Sequence, residues 1–74
     1  MKAPETKAIE VVINGEPRQV PEGLDLTNLL VHLGIDPSRV AVEMNRAIVR
    51  KGHWPATPVR DGARLEIVWF VGGG

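Results

Sequence analysis

The last residues of the chain offer the clearest chemistry in the sequence. An apolar stretch broken only by Glu66, residues 65–71, runs directly into Gly72, Gly73 and Gly74, where the 74-residue sequence ends. The reactive group at such an end is the α-carboxylate of Gly74, a poor electrophile because resonance and negative charge repel nucleophiles. Adenylation would supply a good leaving group, and a sulfur nucleophile could then displace AMP and leave a thiocarboxylate.

Glycine suits a terminus of this kind for a physical reason. An enzyme that adenylates the end of a protein must bring the carboxylate and ATP together in a narrow channel that excludes water. Residues without side chains thread such a channel most easily. We therefore predict that Gly72 and Gly73 form a flexible functional tail with Gly74 as the reactive residue. The alternative is that the three glycines are a frayed terminus or a cloning linker.

No other residues form a convincing catalytic or metal-binding set. His32 and His53 are too few and too far apart for a metal site of known spacing, and the chain contains no cysteine. Ser38 follows a proline without any nucleophile motif around it, and the glycines do not form a phosphate-binding loop. We predict no catalytic residue, no metal and no bound cofactor. His32 is interpreted as a partly exposed helix residue, and His53 as packed in a loop beside Trp54.

Composition narrows the class of protein. Nine basic and nine acidic residues give a formal net charge of zero, which argues against a nucleic-acid-binding protein. No apolar run approaches the roughly 18 residues that a membrane span needs, and the polar N-terminus does not resemble a signal peptide. These features favour a cytoplasmic protein. We predict a leader over residues 1–7, one domain over 8–71 and the tail over 72–74.

Hydrophobic patterning predicts the elements that must position the tail. Residues 9–13 alternate as a strand, Asn14 and Gly15 favour a type I′ turn, and residues 16–20 return as a second strand. Because Pro17 lacks an N–H donor, the second strand should lie at a sheet edge.

A short helix is predicted over residues 26–33. Asp25 is a suitable N-cap, Gly34 suits the left-handed residue after the helix, and Pro37 prevents its restart. One face of this helix is a stripe of leucines, at positions Leu26, Leu29, Leu30 and Leu33.

Three further strands complete the plan, over residues 40–44, 47–49 and from about 63 or 64 to 71. Residues 50–60 are predicted to be an ordered loop pinned by Trp54. The result is an α+β fold, a mixed sheet of four to five strands covered on one face by one main helix. We expect the third strand beside the first hairpin, and the last strand in the middle of the sheet, parallel to the first and well covered. That is the β-grasp, or ubiquitin-like, plan.

Over residues 9–74 the chain resembles the ThiS sulfur carriers of thiamine biosynthesis. The resemblance rests on the order and spacing of several segments: residues 11–15, the helix 26–33, residues 40–45, residues 48–49, Trp54, Asp61-Gly62 and the ending 67–74. It implies a β-grasp fold and a carrier that acts as a co-substrate and not as a catalyst.

The resemblance also implies partners. An E1-like adenylyltransferase of the ThiF type would use ATP and Mg²⁺ to adenylate Gly74, a cysteine desulfurase relay would supply the sulfur, and a thiazole synthase of the ThiG type would consume it. Strand alternation makes Val68 and Phe70, opposite Leu65, Ile67 and Trp69, the candidates for a docking patch beside the tail.

Three other readings remain open at the level of sequence. One is a MoaD-type carrier of molybdopterin synthesis, although those chains tend to reach their Gly-Gly through a proline-containing segment. Another is a carrier that feeds sulfur to cysteine synthesis or to tRNA. The third is a ubiquitin-like interaction module with an inert tail; for a small hydrolase the sequence offers no residues.

Overall fold

A two-stranded hairpin opens the fold. The computed structural model describes residues 7–71. Strands β1 (Ala8–Ile13) and β2 (Glu16–Pro21) pair antiparallel. Asn14 and Gly15 between them have φ angles of 51° and 83°, the left-handed pair that a type I′ turn requires, so the predicted turn is confirmed. β2 lies at the sheet edge and pairs only with β1, as expected from its proline.

The single α-helix of the described residues, α1 (Leu26–His32), begins at the predicted cap. The side-chain Oδ1 of Asp25 accepts the backbone N–H of Asn28 at 2.8 Å, which satisfies one of the free N–H groups of the first turn. The helix buries one apolar face against the sheet, formed by Leu26, Leu29 and Leu30.

The end of α1 is set by a Schellman motif. Gly34 adopts a left-handed φ of 75°. Its N–H donates to the carbonyl of Val31 at 3.0 Å, and the N–H of Ile35 donates to the carbonyl of Leu30 at 2.9 Å. Leu33 is therefore the C-cap, and the helix is one residue shorter than the predicted 26–33.

The sheet places the last strand at its centre. Strands β3 (Val40–Met44), β4 (Ala47–Val49) and β5 (Arg64–Trp69) join the hairpin in the order β2-β1-β5-β3-β4. β5 runs parallel to β1 and antiparallel to β3, so its predicted central position is confirmed. With α1 on one face, this is the predicted α+β arrangement.

One predicted neighbour is wrong. The third strand was expected beside the first hairpin, but β3 pairs with β5 and β4 and does not contact β1 in the ladder. The connection through α1 leaves room for one strand between β1 and β3. β5 fills this place because its apolar residues Leu65 and Ile67 pack beneath the helix.

The segment after β4 is pinned by Trp54, as predicted. The indole is 2% exposed, and its Nε1–H donates to the carbonyl of Val49 at 2.8 Å. The segment contains a 3₁₀-helix, Lys51–Ala56, where a loop was expected. His53 is exposed and not packed, so that expectation is wrong, because the short helix directs the neighbouring tryptophan inward instead.

The core lies between α1 and one face of the sheet. Its side chains come from alternate strand positions, the helix stripe and the segments before β5, and none is polar or charged. They are Ile9, Val11, Ile13, Val20, Leu26, Leu29, Leu30, Val40, Val42, Trp54, Val59, Ala63, Leu65 and Ile67. On the opposite face of the sheet, called here the open face, residues 7–71 place no α-helix.

A second 3₁₀-helix, Pro37–Arg39, provides a titratable cap. Asp36 Oδ1 accepts the backbone N–H of Ser38 at 2.9 Å and its hydroxyl at 2.8 Å. These two bonds, the backbone one first, lower the pKa of Asp36 below its ordinary 3.8, with smaller help from the positive charges of Arg39 and Lys51. The ionised form is therefore favoured by folding. The ionised carboxylate therefore contributes to the free energy of unfolding. This contribution is present at pH values above the ordinary pKa of the group and is lost as the pH falls through the lowered pKa.

We expect an NMR titration of the Asp36 carboxyl to give a midpoint below 3.8. Ser38→Ala removes the hydroxyl donor but keeps the backbone N–H, so it should move the midpoint part of the way back. A wild-type midpoint at the ordinary value, or no movement in the variant, would contradict this account of the cap.

Candidate functional site

The central strand carries the chain out of the domain. β5 ends at Trp69, Phe70 follows, and Val71 is 98% exposed. The predicted tail and its reactive residue, Gly72, Gly73 and Gly74, lie outside the described residues. The loading of Gly74 therefore stays a prediction. The described part of the chain reaches the protein surface at Val71, the residue directly before the tail.

Alternation along β5 separates a covered face from an open one. Leu65 and Ile67 are buried beneath α1, whereas Val68 is 59% and Phe70 is 61% exposed. The two candidates for docking are therefore exposed to solvent and close in sequence to the tail. Their contact with a partner stays a prediction.

Trp69 departs from the expected pattern. It was placed with Leu65 and Ile67 on the covered side of a well-covered strand, but it is 50% exposed. Its side chain lies at the end of the sheet beside Leu33 and Ile35, where α1 has already ended and no longer covers β5. Large apolar side chains therefore flank the base of the tail on both sides of the strand.

The open face extends the apolar surface beyond β5. Ala41 lies opposite Val68 on the neighbouring strand, and residues opposite each other in a ladder share a face. Ile48, on the edge strand, is 77% exposed and lines a shallow groove with Ala41 and Phe70. The docking patch is therefore defined as Ala41, Ile48, Val68 and Phe70. Sequence alternation did not single out Ile48, because a strand of three residues does not reveal which face is covered.

Two carboxylates face each other beside this patch. Glu43 lies opposite Glu66 on one side and opposite Ile48 on the other. Like charges directly across a ladder destabilise the sheet slightly. Over residues 7–71 the only ion pair joins Arg39 and Asp36, so neither glutamate has a salt-bridge partner there. Arg46 and Arg64 line the same groove as the two glutamates, and Arg50 and Lys51 line the groove of Ile48 and Phe70, so charges of both signs border the patch.

The described residues do not assemble another reactive site. Between residues 7 and 71, no group of three His, Cys, Asp or Glu side chains is arranged to hold a metal ion. His32 and His53 are both exposed, and the Ser38 hydroxyl donates to Asp36 as part of a turn. Within the same residues, every helix is too short or too polar to cross a lipid bilayer.

Comparison with known proteins decides the family. The model of the ThiS family matches residues 11–74, almost the whole domain and the tail. The chain belongs to the ThiS family. A full-length relative is the sulfur carrier protein ThiS of Thermus thermophilus, 38% identical over 64 residues, which are 86% of this chain and 98% of that protein.

Solved structures agree with the family. The crystal structure of the thiamine biosynthesis protein ThiS from Geobacter metallireducens superposes with a TM-score of 0.79 at 35% identity, covering 89% of this chain and 100% of that one. The β-grasp fold predicted for this ThiS-family chain is thereby confirmed.

Other relatives are much longer than this chain. Proteins named thiazole synthase are 39% identical in Magnetococcus marinus and 46% identical in Paramagnetospirillum magneticum, each over 66 residues. Those residues are 89% of this chain but only 20% of each relative. The chain therefore spans about one fifth of the length of these thiazole synthases.

Proposed function

We propose that this protein is a sulfur carrier of thiamine biosynthesis whose Gly74 carboxylate is adenylated and then converted to a thiocarboxylate. The observation that carries the proposal is the family match, which continues through the tail to residue 74. The fold supports it, because the central strand of the sheet leads the chain to an exposed Val71 immediately before the glycines.

The proposed reaction has two steps. A carboxylate oxygen of Gly74 attacks the α-phosphorus of ATP, pyrophosphate leaves, and an acyl-adenylate forms. A sulfide sulfur then attacks the carbonyl carbon, and AMP departs with the former carboxylate oxygen, leaving a thiocarboxylate. The ATP and Mg²⁺ belong to an E1-like adenylyltransferase of the ThiF type. In this scheme the carrier supplies the reacting carboxylate as a co-substrate and none of the catalytic groups.

The longer relatives support a proposal for the receiving enzyme. Two proteins named thiazole synthase contain a stretch similar to this chain within a single polypeptide. Covalent linkage keeps two modules at high effective concentration, which is useful when one passes a group to the other. We therefore assign a thiazole synthase of the ThiG type as the sulfur acceptor. The resemblance to the ThiS carriers supports a cysteine desulfurase relay as the sulfur source.

The docking patch gives the adenylyltransferase a surface to bind. Val68 and Phe70 are exposed and close in sequence to Gly74, so an enzyme that takes Gly74 into its active site would have them within reach. Burial of these exposed apolar side chains supplies binding free energy. The partner surface should therefore be apolar at its centre, with charges of both signs at its rim to match those around the patch.

A mass measurement tests the proposal. The carrier is incubated with ATP, Mg²⁺, sulfide and a ThiF-type adenylyltransferase that loads its own carrier. Intact mass should rise by the difference between a sulfur and an oxygen atom, and fragmentation should place the change at Gly74. A chain that lacks Gly74 is the control and should not change. An unchanged mass for the full chain would reject the carrier function and favour an interaction module with an inert tail.

A further inference from the structure

β5 needs support on both sides, but its neighbour β1 ends early. The parallel ladder between them stops at the pair Ile13 and Leu65, after which the chain turns away into β2. The last backbone bond on this side runs from the N–H of Asn14 to the carbonyl of Leu65, at 2.8 Å. Beyond it, the half of β5 that leads to the tail has lost its neighbouring strand.

The side chain of Asn14 replaces the missing strand. Its Oδ1 accepts the N–H of Ile67 at 2.7 Å, and its Nδ2 donates to the carbonyl of the same residue at 3.1 Å. A side-chain amide carries the same donor and acceptor as a peptide group, so it can satisfy both backbone groups of one strand residue. Asn14 thus adds one rung to the ladder where β1 can no longer provide one.

The other side of β5 is paired with β3 as far as Trp69. The N–H of Phe70 then donates to the carbonyl of Arg39 at 2.9 Å, just before the start of β3. The strand is therefore held on one side as far as Ile67 and on the other as far as Phe70, the residue before the exposed Val71. A strand held on both sides has a defined direction, whereas one held on a single side can twist and fray.

We propose that Asn14 is a positioning residue for the loading of Gly74: its side-chain amide fixes the direction in which β5 delivers the tail to the adenylyltransferase. This inference rests on the proposed carrier function. A pre-aligned exit reduces the ordering that the enzyme must impose when it binds the tail. Asn14 should therefore affect how tightly the enzyme binds the carrier and not the rate of the chemical step.

The fold contains a matched control for this role. Asn45 lies at the other end of β5, where its Oδ1 accepts the N–H of Arg64 at 3.0 Å and its own N–H donates to the carbonyl of Arg64 at 2.8 Å. Its φ of 50° is nearly the same as the 51° of Asn14. Both asparagines therefore occupy a left-handed turn position and hold a backbone amide of β5. Only Asn14 does so beside the exit to the tail.

The test compares Asn14→Gly with Asn45→Gly. Glycine adopts positive φ without strain, so each variant removes a side-chain amide and leaves its turn intact. Both should lower the thermal midpoint, Asn14→Gly by more, because it loses two part-buried side-chain bonds and Asn45→Gly loses one exposed bond. In steady-state loading by a ThiF-type enzyme with ATP and sulfide, Asn14→Gly should raise the KM for the carrier about five-fold, as expected for lost hydrogen bonds, with kcat near wild type. Asn45→Gly should stay within about two-fold of wild type on both constants.

Amide hydrogen exchange adds a readout that needs no partner. Asn14→Gly should accelerate exchange at Ile67 and leave Arg64 unchanged, and Asn45→Gly should do the reverse. Equal KM values for the two variants, or a wild-type KM for Asn14→Gly, would overturn the positioning role while the carrier function stands. If the wild-type chain is not loaded at all, the carrier function fails, and this inference fails with it.

Discussion

Gly73→Val is expected to abolish loading of Gly74 and to leave folding unchanged. A β-branched side chain next to the reactive carboxylate would widen the tail and restrict its backbone, so the terminus should no longer pass through the narrow channel of an adenylating enzyme. We expect the rate of thiocarboxylate formation to fall by at least about a hundred-fold, measured by intact mass over time with ATP, Mg²⁺ and sulfide. The free energy of unfolding should change by less than about 0.5 kcal/mol, because the variant deletes no apolar side chain.

Gly52→Val provides the matched control for this variant. Gly52 lies in the 3₁₀-helix after β4, outside the tail and the docking patch, and a Cβ at this position meets nothing within 4 Å. The control adds the same side chain to the same residue type and should load at the wild-type rate. A loss of more than about 2 kcal/mol in Gly73→Val, comparable to a core truncation, would contradict a tail that serves only as a substrate.

Local signals in the sequence predict most of the scaffold. Asn14-Gly15 predicts the hairpin because few residues tolerate the left-handed angles of the turn, and the observed φ values confirm it. The Asp25 cap and the leucine stripe predict α1 in the same way, because each signal acts within one or two turns of helix. The central position of β5 follows from its apolar pattern, which a covered strand needs.

Features that depend on distant residues could not be predicted in this way. The exposure of Trp69 depends on where α1 ends in space, and not on the residues around Trp69. The side-chain bonds from Asn14 to Ile67 join residues 53 positions apart, so no local sequence pattern around Asn14 predicts them. The turn already explains an asparagine at position 14. Its hydrogen bonds to β5 can be recognised only in the three-dimensional structure.

The candidate site likewise has one part that the sequence predicted and another that only the fold revealed. Chemistry alone singles out the glycine terminus, since a carboxylate without neighbouring side chains is suited to adenylation, and that prediction concerns residues outside the described part of the chain. The full docking patch could be identified only from the fold. Strand alternation identified Val68 and Phe70, but Ile48 and the carboxylates of Glu43 and Glu66 joined them only through the strand register.

Val68→Asp is expected to weaken binding of the carrier to its adenylyltransferase by about thirty-fold, seen as a higher Kd or KM. The physical reason is that the variant removes apolar contact area and places a carboxylate in a surface that the partner must desolvate. Loading at saturating carrier should continue at nearly the wild-type kcat, because Val68 does not take part in the reaction. Isothermal titration and steady-state loading measure the two quantities separately.

The chain offers an unusually close control in Val31→Asp. Val31 is 61% exposed, against 59% for Val68, but it lies on α1, on the other side of the sheet from the docking patch. The same substitution at the same exposure therefore tests whether position, and not surface charge in general, governs binding. Both variants should remain folded, with losses of roughly 1 kcal/mol or less for a polar residue at an exposed strand or helix position. If Val31→Asp weakened binding as much as Val68→Asp, the partner would not be recognising the open face, and the docking patch would have to be sought on the helix side instead.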